Sequence, residues 1–90
     1  MFTGPIKRSV TIAGHETSIS LEPIFWDALR AEAETQGLPM NALIAQIDLT
    51  RISVDSPPNL ASAIRIWLFE RATRTNLLRD DIALNRLCEE

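Results

Sequence analysis

The ninety-residue chain predicts a small, mainly α-helical domain entered through a short N-terminal β-ribbon. Three observations carry this. Apolar and polar residues alternate over residues 7–12 and again over 17–21. From residue 22 onward, apolar residues recur at helical spacing. Gly37 and the pair Pro57-Pro58 divide that helical stretch into segments. A period of two marks a strand with one covered face, and a period near 3.6 marks an amphipathic helix.

The elements follow in order. In Lys7-Arg8-Ser9-Val10-Thr11-Ile12, Val10 and Ile12 are the apolar partners of the alternation. Thr17-Ser18-Ile19-Ser20-Leu21 repeats the pattern, and Gly14 between the runs is a turn signal. The two runs form either a hairpin or two parts of an arm that pairs with another chain. A helix is expected over about 22–36, with Pro23 in its first turn, where a missing N–H costs nothing. Phe25, Ala28, Leu29 and Ala33 make its stripe, and Gly37 suits a left-handed stop. A second helix is expected over about 39–50, striped by Leu43, Ile44 and Ile47. Residues 53–59 are a loop, because Pro-Pro cannot continue a helix, and Asn59 is a good cap for the next one.

That third helix is expected over about 60–74. Leu60, Ile64, Trp67 and Leu68 share a face, while Ile66 and Phe69 lie off it. Such a helix needs cover from more than one side, and in so short a chain a partner subunit is the expected source. Leu77, Leu78, Ile82, Leu84 and Leu87 suggest a short fourth helix in the tail, capped by Asn76. No repeat or second domain is visible. The expected organisation is one domain, 1–90, with an N-terminal arm (1–16) and a C-terminal helical extension (59–90).

Composition narrows the function. The chain is 46% hydrophobic, enough for a core, but its size leaves an unfavourable surface-to-volume ratio that oligomerisation would relieve. Its net charge of −3 argues against a simple basic nucleic-acid coat protein. The charge is uneven, however. Residues 1–20 hold Lys7 and Arg8 against Glu16, residues 21–60 hold two arginines against six acids, and residues 61–90 balance. The acid excess therefore lies outside the ribbon. Cys88 is the single cysteine, so no intrachain disulfide forms, and a semi-buried thiol is its expected state. One His and one Cys give no metal site, the HExxH pattern is absent, and no cofactor is expected. His15, Glu16, Thr17 and Ser18 are neighbours that a strand points to opposite faces, which defeats a Ser-His arrangement and argues against an enzyme. His15, beside Gly14, is read as a turn residue. No apolar run suits a signal peptide or a membrane span, so a cytoplasmic protein is expected.

Strand, helix, Gly turn, helix is also a family pattern. Thr17 to Leu21, Glu22 to Gln36, Gly37-Leu38 and Asn41-Ala42-Leu43-Ile44 together resemble the ribbon-helix-helix superfamily of Arc, MetJ and CopG type. More narrowly, the stretch KRSVTIAGHETSISLEPIFWDAL resembles a subfamily of short bacterial ribbon-helix-helix proteins, with Asn59 to Arg65 resembling its third segment. The likeness spans about residues 7–70. It implies an intertwined homodimer, one strand from each chain pairing antiparallel. Ile19, Leu21, Phe25, Trp26, Leu29, Leu43, Ile44, Ile47 and Trp67 would form the dimer core. The outward face would enter the major groove of double-stranded DNA, with Glu16, Ser18 and Ser20 reading bases. Lys7, Arg8 and the second helix's N-terminus at Met40 and Asn41 would meet phosphates. The implied role is sequence-specific transcriptional regulation.

Three features depart from that pattern. Glu16 is acidic at a base-reading position, Pro39 brings no N–H to an anion site, and a dimer carries twice −3. The alternative is a dimeric protein-interaction module, antitoxin- or adaptor-like, that holds a protein partner through residues 60–90. Ser18 and Ser20 would then be the solvated face of a strand, and Lys7-Arg8 an ordinary charged arm.

Overall fold

The computed structural model describes residues 2–89, with side chains described through residue 74. Two strands, β1 (Ile6–Ile12) and β2 (His15–Leu21), precede three helices, α1 (Pro23–Gln36), α2 (Met40–Ile52) and α3 (Leu60–Glu89). The sequence left the role of the first alternating run open. It is the partner of the second: β1 and β2 form an antiparallel two-stranded sheet, with Ile12 opposite His15 and Ile6 opposite Leu21. The turn between them is Ala13-Gly14, with φ of 50° and 82°. Two successive positive φ values describe a type I′ turn, whose twist matches that of the strands it joins.

The helix ends have local causes. Pro23 opens α1, and Glu22, extended at ψ 151°, gives its carbonyl to the Phe25 and Trp26 amides. At the other end Gly37 adopts φ 67°. The Leu38 amide then reaches the Ala33 carbonyl and the Gly37 amide that of Glu34, at 2.9 and 3.1 Å. This paired closure needs a left-handed residue, which glycine supplies without a Cβ clash. α2 runs two residues beyond its expected end, to Ile52. The Arg51 side chain then fastens the loop: its Nε donates to Asp48 at 2.8 Å and its Nη1 to the Pro58 carbonyl at 3.2 Å. Asn59 caps α3 as expected, its Oδ1 accepting from the Ser62 amide at 2.8 Å.

The C-terminal expectation is corrected. No fourth helix follows a break near residue 75; α3 continues unbroken from Leu60 to Glu89. The reason lies in the sequence, since residues 60–90 contain neither Gly nor Pro and Thr75-Asn76 alone are weak breakers. The apolar residues of the tail and Cys88 lie outside the described side chains.

The helices cover one face of the hairpin. Val10, Ile19, Leu21, Trp26, Leu29, Ala33, Leu43, Ile44, Ile47, Ile64 and Leu68 form one buried cluster drawn from every element. Leu21, Leu29, Ile44 and Ile64 have no exposed surface at all. Of the nine residues expected in a dimer core, seven are buried within one chain, and Phe25 and Trp67 are partly buried against the same cluster. Within the chain, α1, α2 and β2 pack on α3, whose Ile64 and Leu68 are buried. Ile66 and Phe69, the residues off the main face of α3, remain exposed.

Candidate functional site

Side chains alternate along each strand, so the hairpin has one face against the helices and one facing away. The helix-ward face carries Ile6 and Leu21, Arg8 and Ile19, Val10 and Thr17, and Ile12 and His15 as cross-strand pairs. The outward face carries Lys7 and Ser20, Ser9 and Ser18, and Thr11 and Glu16. Ser20 is half-buried, and the other five are exposed. The result is a small, open, hydroxyl-rich surface holding one cation and one carboxylate.

The structure thus brings together Glu16, Ser18, Ser20 and Lys7. It separates Lys7 from Arg8. Adjacent strand residues point to opposite faces, and Arg8 turns toward the helices, its guanidinium 5.2 Å from the centre of the Trp26 ring. The Trp26 indole Nε1 donates to the Ile6 carbonyl at 2.9 Å. Trp26 therefore holds β1 down by a hydrogen bond at one residue and by a cation–π contact two residues later. The apparent Lys7-Arg8 cluster supplies a single charge to the outward face. Met40 and Asn41 start α2, in the helical layer. Their amides precede the first intrahelical bonds, since the Pro39 carbonyl accepts from Ala42 and Leu43. Asn41 is exposed and Met40 packs partly against the core.

The strand edges matter as much as the face. In a two-residue hairpin the residues flanking the turn exchange both backbone hydrogen bonds, and such pairs alternate with unbonded ones. With Ile12 opposite His15, the bonded residues of β2 are His15, Thr17, Ile19 and Leu21. Glu16, Ser18 and Ser20 direct their N–H and C=O groups away from β1, to an open edge. Among the described residues, one side chain reaches that edge. Arg65 of α3 donates from Nη2 to the Ser20 carbonyl at 3.4 Å and from Nε to Glu22 Oε1 at 2.9 Å, with its guanidinium 5.8 Å from the Phe25 ring. The Glu22 backbone amide first, and Arg65 second, hold the Glu22 carboxyl below the ordinary glutamate value of 4.5. Sequence reasoning missed Arg65 because its partners lie 43 and 45 residues away. Only the tertiary fold joins them.

Among the described residues, no group of His, Cys, Asp and Glu could hold a metal ion, and no helix is long and apolar enough to cross a membrane. A family model described as a ribbon-helix-helix domain matches residues 5–72. No curated protein and no solved structure matches the chain.

Proposed function

The chain belongs to the ribbon-helix-helix domain family, and from that membership we propose that it acts as a homodimeric, sequence-specific DNA-binding regulator in the bacterial cytoplasm. One observation carries the proposal: β2 presents an edge that pairs with no strand, at Glu16, Ser18 and Ser20, the residues of its outward face, with Arg65 donating to the Ser20 carbonyl there. An open edge is a template for another strand. Two copies joined there give a four-stranded sheet with the two β2 strands at its centre. Ser18 and Ser20 of each copy would face the base edges, and serine can bond to several of them. Lys7, on the outer strand, would lie toward the groove wall, where phosphates are. Met40 and Asn41, at the dipole-positive end of α2, would offer backbone amides to a phosphate. Arg8, committed to Trp26, drops out of the phosphate contacts.

The hairpin changes the fit. Four strands spaced about 4.8 Å apart put the outermost axes about 14 Å from each other, against a major groove about 12 Å wide. The central strands enter while β1 rides on the rim, so readout rests on few residues and modest charge. The test is a fluorescence titration of the intact dimer against duplexes selected from a random library, at several salt concentrations. Salt-dependent binding that loses sequence preference in the Ser18→Ala, Ser20→Ala variant is expected. An intact dimer that binds no duplex at low ionic strength overturns the reading.

A second reading has its own observation. The outward face is electrically neutral, with Lys7 against Glu16. A shallow apolar groove of about 260 Å³ opens between α2 and α3, lined by Ile47, Val54, Pro58, Ile66 and Trp67 among others. These favour the dimeric protein-interaction module, with α3 holding the partner. Retention of a protein partner, lost on Ile66→Glu, together with no DNA binding, would select it.

A further inference from the structure

We propose that α3 carries a second self-association surface, on which two copies of the chain pair their α3 helices antiparallel. α3 runs from Leu60 to Glu89, about 45 Å at a rise of about 1.5 Å per residue. Among the described residues, Leu68 is the last that α3 gives to the buried cluster. Ile64 and Leu68 face that cluster, whereas Ile66 and Phe69 are 51% and 69% exposed. With about 100° between successive residues, Ile66 and Phe69 fall on the side of the helix roughly opposite Ile64 and Leu68. The same side continues through Thr73, Leu77, Asp80, Leu84 and Leu87, in steps of three or four residues. α3 thus has two mainly apolar stripes, one covered by its own chain and a second whose first members are exposed. Packing of such a stripe, more than helix propensity, is what stabilises a helix in water.

A second copy fits because the stripe matches its own reverse. An antiparallel two-fold pairing centred beside Leu77 sets Ile66 against the partner's Leu87 and Phe69 against the partner's Leu84. Thr73 then meets the partner's Asp80, and the two Leu77 positions meet at the axis. Apolar positions face apolar ones, and the one carboxylate faces a hydroxyl that can donate to it. Parallel pairing would instead stack Asp80 on Asp80. The flanks agree. Arg74, which is exposed, and Asp81 lie on the same flank of the stripe, seven residues apart. Antiparallel helices bring like flanks together, so Arg74 meets the partner's Asp81 twice in each pair. In a parallel pair that flank would face Ala72, Asn76 and Ala83, which bring no charge. The pairing uses none of the β2 edge groups and does not rest on the dimer proposed above. With both surfaces in use, α3 would join dimers into larger assemblies.

The experiment uses the full chain with Cys88→Ser, so that introduced thiols report alone. Phe69→Cys chains mixed with Leu84→Cys chains should form the mixed disulfide in a glutathione redox buffer, and neither variant should cross-link to itself. In sedimentation equilibrium, Phe69→Glu should weaken self-association at least tenfold, since each pair contains the substitution twice. It removes one level of assembly: monomer replaces dimer, or dimer replaces tetramer where the β2 edge also pairs. Arg74→Asp and Asp81→Arg should each weaken the pair roughly threefold to tenfold, and the double variant should regain most of the loss. No mixed disulfide, or a Phe69→Cys homodisulfide in its place, overturns the antiparallel pair and leaves the stripe to a different protein. Self-association unchanged by Phe69→Glu, or a double variant no better than the single ones, overturns it as well. A Ser18→Cys cross-link in the same background reads the β2 edge separately, so each surface stands or fails alone.

Discussion

Replacing Trp26 by Phe tests whether one side chain anchors the outer strand. Trp26 is 1% exposed, and its Nε1 donates to the Ile6 carbonyl at 2.9 Å while its ring carries the Arg8 guanidinium at 5.2 Å. Phe keeps most of the apolar contact but removes the indole donor. The lost hydrogen bond is worth about 0.5–1.5 kcal/mol. The weaker cation–π contact adds up to about 0.5 kcal/mol, and the unfilled volume adds about 1 kcal/mol. The expected loss is about 1.5–3 kcal/mol, a large share of the roughly 5–13 kcal/mol usual for a chain of this size. Urea unfolding should show it as a lower midpoint with an unchanged slope. Hydrogen exchange should show the loss concentrated in β1, whose amides open more readily than those of α1 and α2. Arg8→Ala should cost less, and the two effects should be non-additive because both act through the same ring. A loss under 0.5 kcal/mol, or faster exchange spread evenly over the helices, would refute the assignment of Trp26 as the anchor of β1.

Other consequences are simpler to read. Ala13 holds φ 50° at the first centre of the turn, so Ala13→Asn should raise thermal stability by about 0.5–1 kcal/mol, since asparagine tolerates that conformation better. Asn59→Ala should cost about 1 kcal/mol in urea unfolding by leaving the Ser62 amide uncapped. Glu22 gives an acid signature. Its carboxyl is held below 4.5 in the folded chain, so its contribution is complete above the unfolded value and disappears as pH falls through the lowered native one. Unfolding curves of wild type and Glu22→Gln, measured across that range, should converge at low pH; a constant difference would contradict the pairing with Arg65.

Much of the fold is legible in the chain because local rules decide it. Gly37 ends α1 by the left-handed closure its position predicts, and Asn59 caps α3. What escaped the sequence was the choice of partner. Period-two alternation tells which residues share a face but not which strand lies alongside. Ala13-Gly14 also lacks the Asn-Gly signal that most strongly marks such a turn. The candidate site was half visible for the same reason. Ser18 and Ser20 could be placed outward from the alternation, whereas Lys7 and Arg8 looked like one patch in a linear reading and separate once the pleat is imposed. Arg65 meeting Ser20 and Glu22 depends on how α3 crosses the end of the sheet, which no local pattern encodes. The unbroken α3 is a different case: residues 60–90 hold neither Gly nor Pro, and an Asn at position 76 does not by itself end a helix.

The closed single-chain core has a consequence for how the protein would be controlled. Where two chains share one core, folding and assembly are a single event, and a subunit cannot leave without unfolding. Here Leu21, Leu29, Ile44 and Ile64 are already sealed within one chain. In the proposed dimer, separation therefore breaks only the contacts along one strand edge. Subunits could exchange while remaining folded, and the fraction assembled would follow the cellular concentration of the chain. Occupancy of a target would then respond to protein level with a quadratic rather than a linear dependence at low abundance.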